Sequence, residues 1–350
     1  MVEAIATGIC SVKTVGEEQR PAWDRFVAHH PGATFFHQWG YRRAVELCFG
    51  HRSHYLLAER DGEVAGILPL FELKSRLFGH SLVSLPFAVY GGAVAVDDEV
   101  HAALYAHAKA LARNRHTDYL ELRYLEPSGL TGEGSDLYVT FRKAISGDDD
   151  ANLKAIPRKQ RRMVRQGAKR GLTHRTGPQE LDAVWELYAE SVHRLGTPVY
   201  SRRWFQTLQE VFGHDCHCLT VRHEGRPVAG VLTFFFKDQV LPYYAGSLTE
   251  FRRLAPNDFM YWQLMRIAAK RGVRLFDFGR SKRGTGAFDF KVHWGFDPVP
   301  LPYLYHMPGG GPRPEVNPTA PGFRRKVEVW KRLPLPVANR LGPWIIRSIP

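Results

Sequence analysis

Cysteine is scarce in this sequence: Cys10, Cys48, Cys216 and Cys218 are the four in 350 residues. They are too few and too scattered for a disulfide framework, which points to a reducing compartment and to stability drawn from a hydrophobic core. No apolar run approaches the roughly 18 residues that a bilayer-spanning helix needs. The first twenty residues have neither the basic start nor the apolar centre of a secretory signal, so the expected location is the cytoplasm. There is no Gly-Lys-Ser/Thr phosphate loop and no GxGxxG fingerprint, which excludes the commonest nucleotide-binding loops. Cys216-His217-Cys218 has the spacing of a metal hook, but no second cysteine pair answers it, and no metal is expected. Nor does any carboxylate stand at a spacing that would single out His193, His214 or His293 as a general base.

Apolar residues, by contrast, are plentiful. At 44% hydrophobic and 12% aromatic over 350 residues, the chain can fill the cores of two domains of ordinary size. The net charge is +13 and is unevenly spread: residues 1–150 hold 15 Lys and Arg against 20 Asp and Glu, residues 151–350 hold 33 against 15. The second half therefore suits an anionic partner, whether nucleic acid, a phosphorylated cofactor or an acidic lipid surface.

An internal repeat organises the chain. Phe49-Gly50-His51, an apolar strand and Asp61-Gly62-Glu63-Val64-Ala65-Gly66 return as Phe212-Gly213-His214 and Glu224-Gly225-Arg226-Pro227-Val228-Ala229-Gly230. Tyr90-Gly91-Gly92 answers to Tyr244-Ala245-Gly246, and helical stretches near 100–115 and 258–271 each lead into a strand. Five features in one order indicate duplication of an α/β fold. Each copy opens with a helix and continues with a hairpin whose acidic-Gly turn suits positive φ. The expected division is an N-terminal domain over 1–148, a C-terminal domain carrying the site over 149–310, and a basic, proline-rich tail over 311–350. In the 258–271 helix, Asn257 or Asp258 is the predicted cap and Gly272 the stop.

Two segments carry chemistry. Arg158 to Arg170 holds seven cations and no acid; Met163, Val164 and Ala168 are expected to face the protein, leaving Arg158, Arg161, Arg162 and Arg165 for a phosphate-bearing partner. Phe276 to Phe296 runs from a strand end through a basic glycine loop with Arg280, Lys282 and Arg283 to Phe290-Lys291 and Trp294. A loop of this kind can offer backbone N–H groups to phosphate. Lys291, desolvated between Phe290 and Trp294, is suited to stabilise an oxyanion. Tyr243 and Tyr244, at the end of the central strand of the second copy, are candidates for the acceptor side.

These segments resemble the FemAB family of aminoacyl transferases. The residues that carry the likeness are Arg161-Arg-Met-Val-Arg165 with Ala168-Lys-Arg-Gly171, Ala255-Pro-Asn257, Phe276-Asp-Phe-Gly279, and Phe290-Lys291 with Trp294-Gly295. In particular the chain resembles the FemAB-like proteins of the bacterial PEP-CTERM and exosortase system, through Leu73 to Gly79, Ser84-Leu-Pro86 and Leu333 to Gly342 as well. The resemblance implies two tandem GNAT-like domains and attack of an amine on an activated acyl group, with no tightly bound cofactor. It implies Lys291 at the acyl centre, and Arg252, Arg253 and Asn257 where a GNAT fold holds the pyrophosphate of acetyl-CoA. The donor stays open between aminoacyl-tRNA and acyl-CoA; the acceptor would be an amine-bearing envelope precursor, a peptide, sugar or lipid-linked molecule. A CoA-dependent N-acetyltransferase, and a non-catalytic RNA-binding or scaffold protein, are the alternatives. The tail suits either peripheral contact with the inner face of the bacterial membrane or an arm capping the second domain.

Overall fold

The computed structural model describes residues 10–75, 79–130, 137–311 and 321–349. The chain forms two units, one of Met1–Asp136, Leu301–Glu315 and Ser348–Pro350, the other of Leu137–Pro300 and Val316–Arg347. The first contains β1 (Ser11–Val15), α1 (Arg20–His29), α2 (Trp39–Phe49), β2 (Arg52–Ser53), β3 (Tyr55–Arg60), β4 (Glu63–Leu68), β5 (Phe71–Ser75), β6 (Gly79–Val83), β7 (Val94–Ala95), α3 (Asp98–Asn114) and β8 (Tyr119–Arg123). One sheet runs β1-β3-β4-β7; the other runs β2-β5-β6-β8 and ends on Tyr303–His306. Helix α3, capped by the Asp97 carboxylate on Val100 N–H, lays Val100, Leu104 and Ala108 on Leu56, Leu68, Leu82 and Leu120.

The second unit contains β9 (Tyr138–Ala144), α4 (Asp149–Ala155), α5 (Arg158–Lys169), β10 (Thr173–Thr176), α6 (Leu181–Leu195), α7 (Arg202–Phe212), β11 (Cys216–His223), β12 (Arg226–Phe236), β13 (Gln239–Ser247), α8 (Pro256–Lys270), β14 (Leu275–Asp277), β15 (Ser281–Lys282), α9 (Gly286–His293), β16 (Pro298–Pro300), α10 (Pro321–Lys331) and α11 (Leu335–Ile346). Its sheet runs β10-β11-β12-β13-β14-β9-β15, with β16 also on β9. The long central strands are rich in β-branched and aromatic residues, and both faces are covered, so they read as continuous apolar runs. On one face Phe259, Met260, Leu264 and Met265 of α8 meet Leu219, Val221, Val231 and Val240. On the other, glycines let α6 approach closely: a Cβ on Gly246 would lie 2.1 Å from the Leu187 carbonyl oxygen.

The duplication is real, and its strand order is the same in both units. β11 answers to β2 with β3, β12 to β4 with β5, and β13 to β6 with β7, so each antiparallel run leads to a parallel pair, β6·β8 or β13·β14. Gly50 and Gly213 both end their helices at positive φ. The hairpin turns Asp61-Gly62 (φ 54° and 82°) and Glu224-Gly225 (φ 50° and 81°) have both central residues left-handed, the geometry that a two-residue hairpin requires.

Several expectations need correction. The units divide at 136/137 and 300/301 rather than at 148/149 and 310/311. The reason lies in strand pairing, since β9 joins the sheet of the second unit and Tyr303–His306 that of the first, beside β8. Tyr90-Gly91-Gly92 is not the counterpart of Tyr244-Ala245-Gly246, because register puts Ala95 opposite Gly66 as Gly246 is opposite Gly230. Residues 84–93 are an interruption where β13 is continuous. Helix α8 starts at Pro256, with Ala255 rather than Asn257 or Asp258 at its cap, and Gly272 beyond its end has φ 77°. On α5, Val164 is buried with Gln160 and Gly167, whereas Ala168 is exposed. Leu73 to Gly79 lies partly outside the described residues.

Candidate active site

The wedge at the end of β13 and β14 is the centre of the site. These parallel strands pair only at Gln239↔Leu275 and Val240↔Phe276. Past that point β13 continues to Ser247 against β12, while Asp277 at the end of β14 pairs with Arg142 of β9. Parallel strands that part at their carboxyl ends leave a crevice there, where ligands of α/β sheets bind. At the same level β13 carries a bulge: Tyr244 lies opposite Leu232 and Pro242 opposite Thr233, so Tyr243 is the inserted residue.

One side of the wedge is the entry to α8. A 3-10 turn, Thr249–Leu254, leads through buried Ala255, held left-handed at φ 57°, to Pro256 at the first helical position. A left-handed alanine costs roughly 1–2 kcal/mol, a strain that the surrounding packing must impose. The helix presents the positive end of its dipole here. Arg252 and Arg253 are exposed on the turn and Asn257 is half-buried in the first helical turn.

The other side is the turn after β14. Asp277, 1% exposed, accepts a hydrogen bond from Gly279 N–H (2.7 Å) and pairs with Arg142 (3.2 Å). Thr285 caps α9 by accepting from Phe288 N–H, and that helix delivers Lys291. The Lys291 ammonium donates to the carbonyls of Phe278 (2.7 Å), Gly279 (3.0 Å) and Arg280 (3.2 Å). Burial pushes its pKa down to about 7, against the pull of Asp277 and with the help of Arg280. The three carbonyl dipoles favour the charged form. An ammonium has three N–H donors, and all three are engaged.

The rings nearest this ammonium are Phe141 (5.4 Å) and Phe278 (5.9 Å), not Phe290 and Trp294 as expected. Phe290 on α9 and Trp294, the C-cap residue four positions on, form one face with Tyr261 (5.5 and 6.2 Å), which turns them from their neighbour Lys291. Buried Trp294 donates its indole N–H to Asp258 (3.0 Å), whose carboxyl burial pushes up to about 6. Tyr244 is a core residue in this arrangement. Its hydroxyl accepts from the Trp204 indole (2.9 Å), and its ring meets Tyr188, Tyr200 and Phe205 at 4.9–5.5 Å. Tyr243 is half-buried against Phe234 (5.6 Å).

The remaining cations fall in two groups. Arg280 lies over the Tyr138 ring (4.2 Å), Lys282 is in β15 and Arg283 is exposed. Arg158, Arg161, Arg162, Arg165, Gln166 and Lys169 line a groove of about 540 Å³ on α5, and those cations make no ion pair among the described residues. Helix α5 packs on α8, where a Cβ on Gly167 would touch Phe259 at 3.1 Å. Three residues that shape the site, Asp277, Arg142 and Asp258, were not among the candidates expected from the sequence. Asp277 was legible only as a strand end, and Asp258 only as a cap. Among the described residues no group of His, Cys, Asp and Glu could hold a metal, and Cys216 and Cys218 are free and buried.

Residues 153–292 match the family model described as an acetyltransferase (GNAT) domain. No curated protein sequence matches the chain. Among solved structures, FemX is similar at TM-score 0.67 and 17% identity, over 85% of this chain and 97% of that one. A tandem GNAT protein from the clavulanic acid biosynthesis pathway is similar at TM-score 0.55 and 14% identity, over 87% and 100%. The C-terminal domain of a putative lysylphosphatidylglycerol synthetase from Agrobacterium fabrum is similar at TM-score 0.56 and 13% identity, over 82% and 91%. The fold is thus two GNAT-like domains in tandem, with the matched acetyltransferase domain in the second.

Proposed function

We propose that the chain is an N-acyltransferase that moves an aminoacyl or acyl group onto an amine of a cell-envelope precursor, in exopolysaccharide- or PEP-CTERM-linked biosynthesis on the cytoplasmic side. The observation that carries this reading is the wedge where β13 and β14 part, floored by the Lys291-held turn and faced by the first turn of α8, inside the domain matched as an acetyltransferase. The amine nitrogen forms a bond to the acyl carbon, the ester or thioester bond breaks, and one proton passes from the nitrogen to the departing oxygen or sulfur, which leaves as an alcohol or thiol. Negative charge builds on the acyl oxygen in between, and a fixed positive charge in a poorly solvated place lowers that barrier. With its three N–H groups on carbonyls, Lys291 acts by holding the Phe278–Arg280 turn in shape and by keeping a cation behind it. Phe290 buttresses that helix through Tyr261, Tyr243 borders the acceptor side, and Tyr244 supports it from the core.

Aminoacyl-tRNA is the donor favoured by the α5 groove, where a row of cations unpaired among the described residues suits a run of phosphates better than a single one. FemX and a protein named for lysylphosphatidylglycerol synthesis are among the structural neighbours, which supports aminoacyl transfer to envelope molecules. The second reading, a CoA-dependent N-acetyltransferase, draws on the name of the matched domain and on Arg252, Arg253 and Asn257 at the start of α8. Thermal unfolding with charged tRNA and with acetyl-CoA separates them, since a ligand that binds the native state raises the melting temperature. Stabilisation by charged tRNA alone supports the first reading, stabilisation by acetyl-CoA alone the second, and indifference to both the non-catalytic scaffold.

A further inference from the structure

Helix α11 is apolar on two sides, although only one of them is docked. Ala338 (1% exposed), Gly342 and Ile346 (7%) face inward, and a Cβ on Gly342 would come within 2.8 Å of Val199, so this side is seated tightly. Val337 (42%), Leu341 (45%) and Trp344 (76%) face outward. Spaced i, i+4 and i+7, these three make one stripe along the helix. Arg340, exposed, flanks the stripe at about 60° from Val337 at 3.6 residues per turn. Val329 of α10, 63% exposed, and Arg332 between the two helices extend the same chemistry along the chain. A tryptophan this exposed beside two other bare aliphatic side chains marks an interaction surface.

Charge decides what covers it. Residues 321–350 hold seven Lys and Arg and one Asp or Glu. A second copy would bring arginines against arginines, so the partner must be anionic. A protruding helix with an apolar crest, an indole near one end and arginines at its flank matches the depth profile of a lipid headgroup region, with side-chain stems in the acyl boundary and cations at phosphate level. We propose that the Val337–Leu341–Trp344 face of α11, with Arg340 and Arg332, is a docking surface for an anionic phospholipid bilayer. The surface lies on the helix and does not depend on the transferase reading. Its docked side also makes α11 the capping arm of the second unit, so the two roles expected as alternatives for the tail belong to opposite faces of one helix.

The test is co-sedimentation of the full chain with vesicles of phosphatidylcholine alone and of equimolar phosphatidylcholine and phosphatidylglycerol. The expected result is binding to the anionic vesicles only. The double variant L341S/W344S should reduce that binding on the order of ten-fold or more, by the apolar area it removes. Arg340→Gln should reduce it about five-fold, the share of one interfacial cation. Both variants should keep the parent melting temperature, since the altered side chains are solvent-facing. Failure of the parent to bind the anionic vesicles overturns the proposal, as does unchanged binding by the folded double variant. Sedimentation showing a parent dimer that L341S/W344S dissolves would also overturn it in favour of a second copy. None of these outcomes bears on acyl transfer, which is measured in the absence of vesicles.

Discussion

Replacing Lys291 with methionine tests the site most directly, and the structure changes what that experiment reads. Methionine keeps the length of the stem and removes the charge. Three carbonyls, of Phe278, Gly279 and Arg280, then lose their donor, and buried Asp277 keeps Arg142 but loses the nearby ammonium. Removing one partner from a buried charged arrangement costs about 3–5 kcal/mol. In a domain of this size each kcal/mol moves the melting temperature by about 2–4 °C, so the drop should be roughly 6–20 °C. Turnover should fall by about a hundred-fold or more at a temperature where both proteins are folded, because the turn that shapes the acyl site loses its clamp. The assay pairs a thermal melt with single-turnover transfer. A melting temperature equal to that of the parent together with lost turnover would refute the clamp and make Lys291 a direct donor to the acyl oxygen. Equal turnover in a folded variant would remove Lys291 from the mechanism altogether.

Asp258→Asn should stabilise the protein at pH 8 by about 3 kcal/mol relative to pH 4, since a carboxyl raised from 3.8 to about 6 by burial contributes stability that is complete below its unfolded value and lost as pH rises through 6. Melting curves of both proteins from pH 4 to 8 check this, and a constant difference would contradict it. Gly246→Ala places a methyl 2.1 Å from the Leu187 carbonyl oxygen, so α6 must move and the melting temperature should fall by the equivalent of about 1–3 kcal/mol. Neutralising Arg161 and Arg165 of the α5 groove should weaken charged-tRNA binding and reduce the slope of log affinity against log salt by about two; an unchanged slope would place the phosphates elsewhere.

Much of the fold was legible because local rules and tertiary structure agree. Asp61-Gly62 and Glu224-Gly225 announce hairpins, and they are hairpins with both residues at positive φ. Gly50 and Gly213 stop their helices at the same place in each copy, so the repeat in the sequence is a repeat in space. The errors arose where pairing partners are distant in the chain. Nothing near Tyr138–Ala144 says that it will sit between β14 and β15, across more than a hundred residues, and the domain boundary was misplaced for that reason. Residues 84–93 interrupt a strand that is continuous in the second copy, which broke the apparent match of Tyr90 with Tyr244.

The site was legible as a segment and not as a geometry. The run from Phe276 to Phe296 stood out by composition, and it does place Asp277, Lys291 and Trp294 around one turn and the start of α8. Which way each side chain faces depended on α9 being a helix. On a helix Phe290 and Trp294 share a face with each other and not with Lys291, so the rings beside the ammonium come from β9 and from the end of β14. Arg142 lies 149 positions before Lys291 and reaches the site only because β9 crosses into this sheet. Strand exchange therefore does more than mark a boundary. It supplies the cation that pairs Asp277 and a ring, Phe141, beside the Lys291 ammonium, so a fragment that begins at the 148/149 division should lack both and lose the clamped turn on which the proposed acyl site rests.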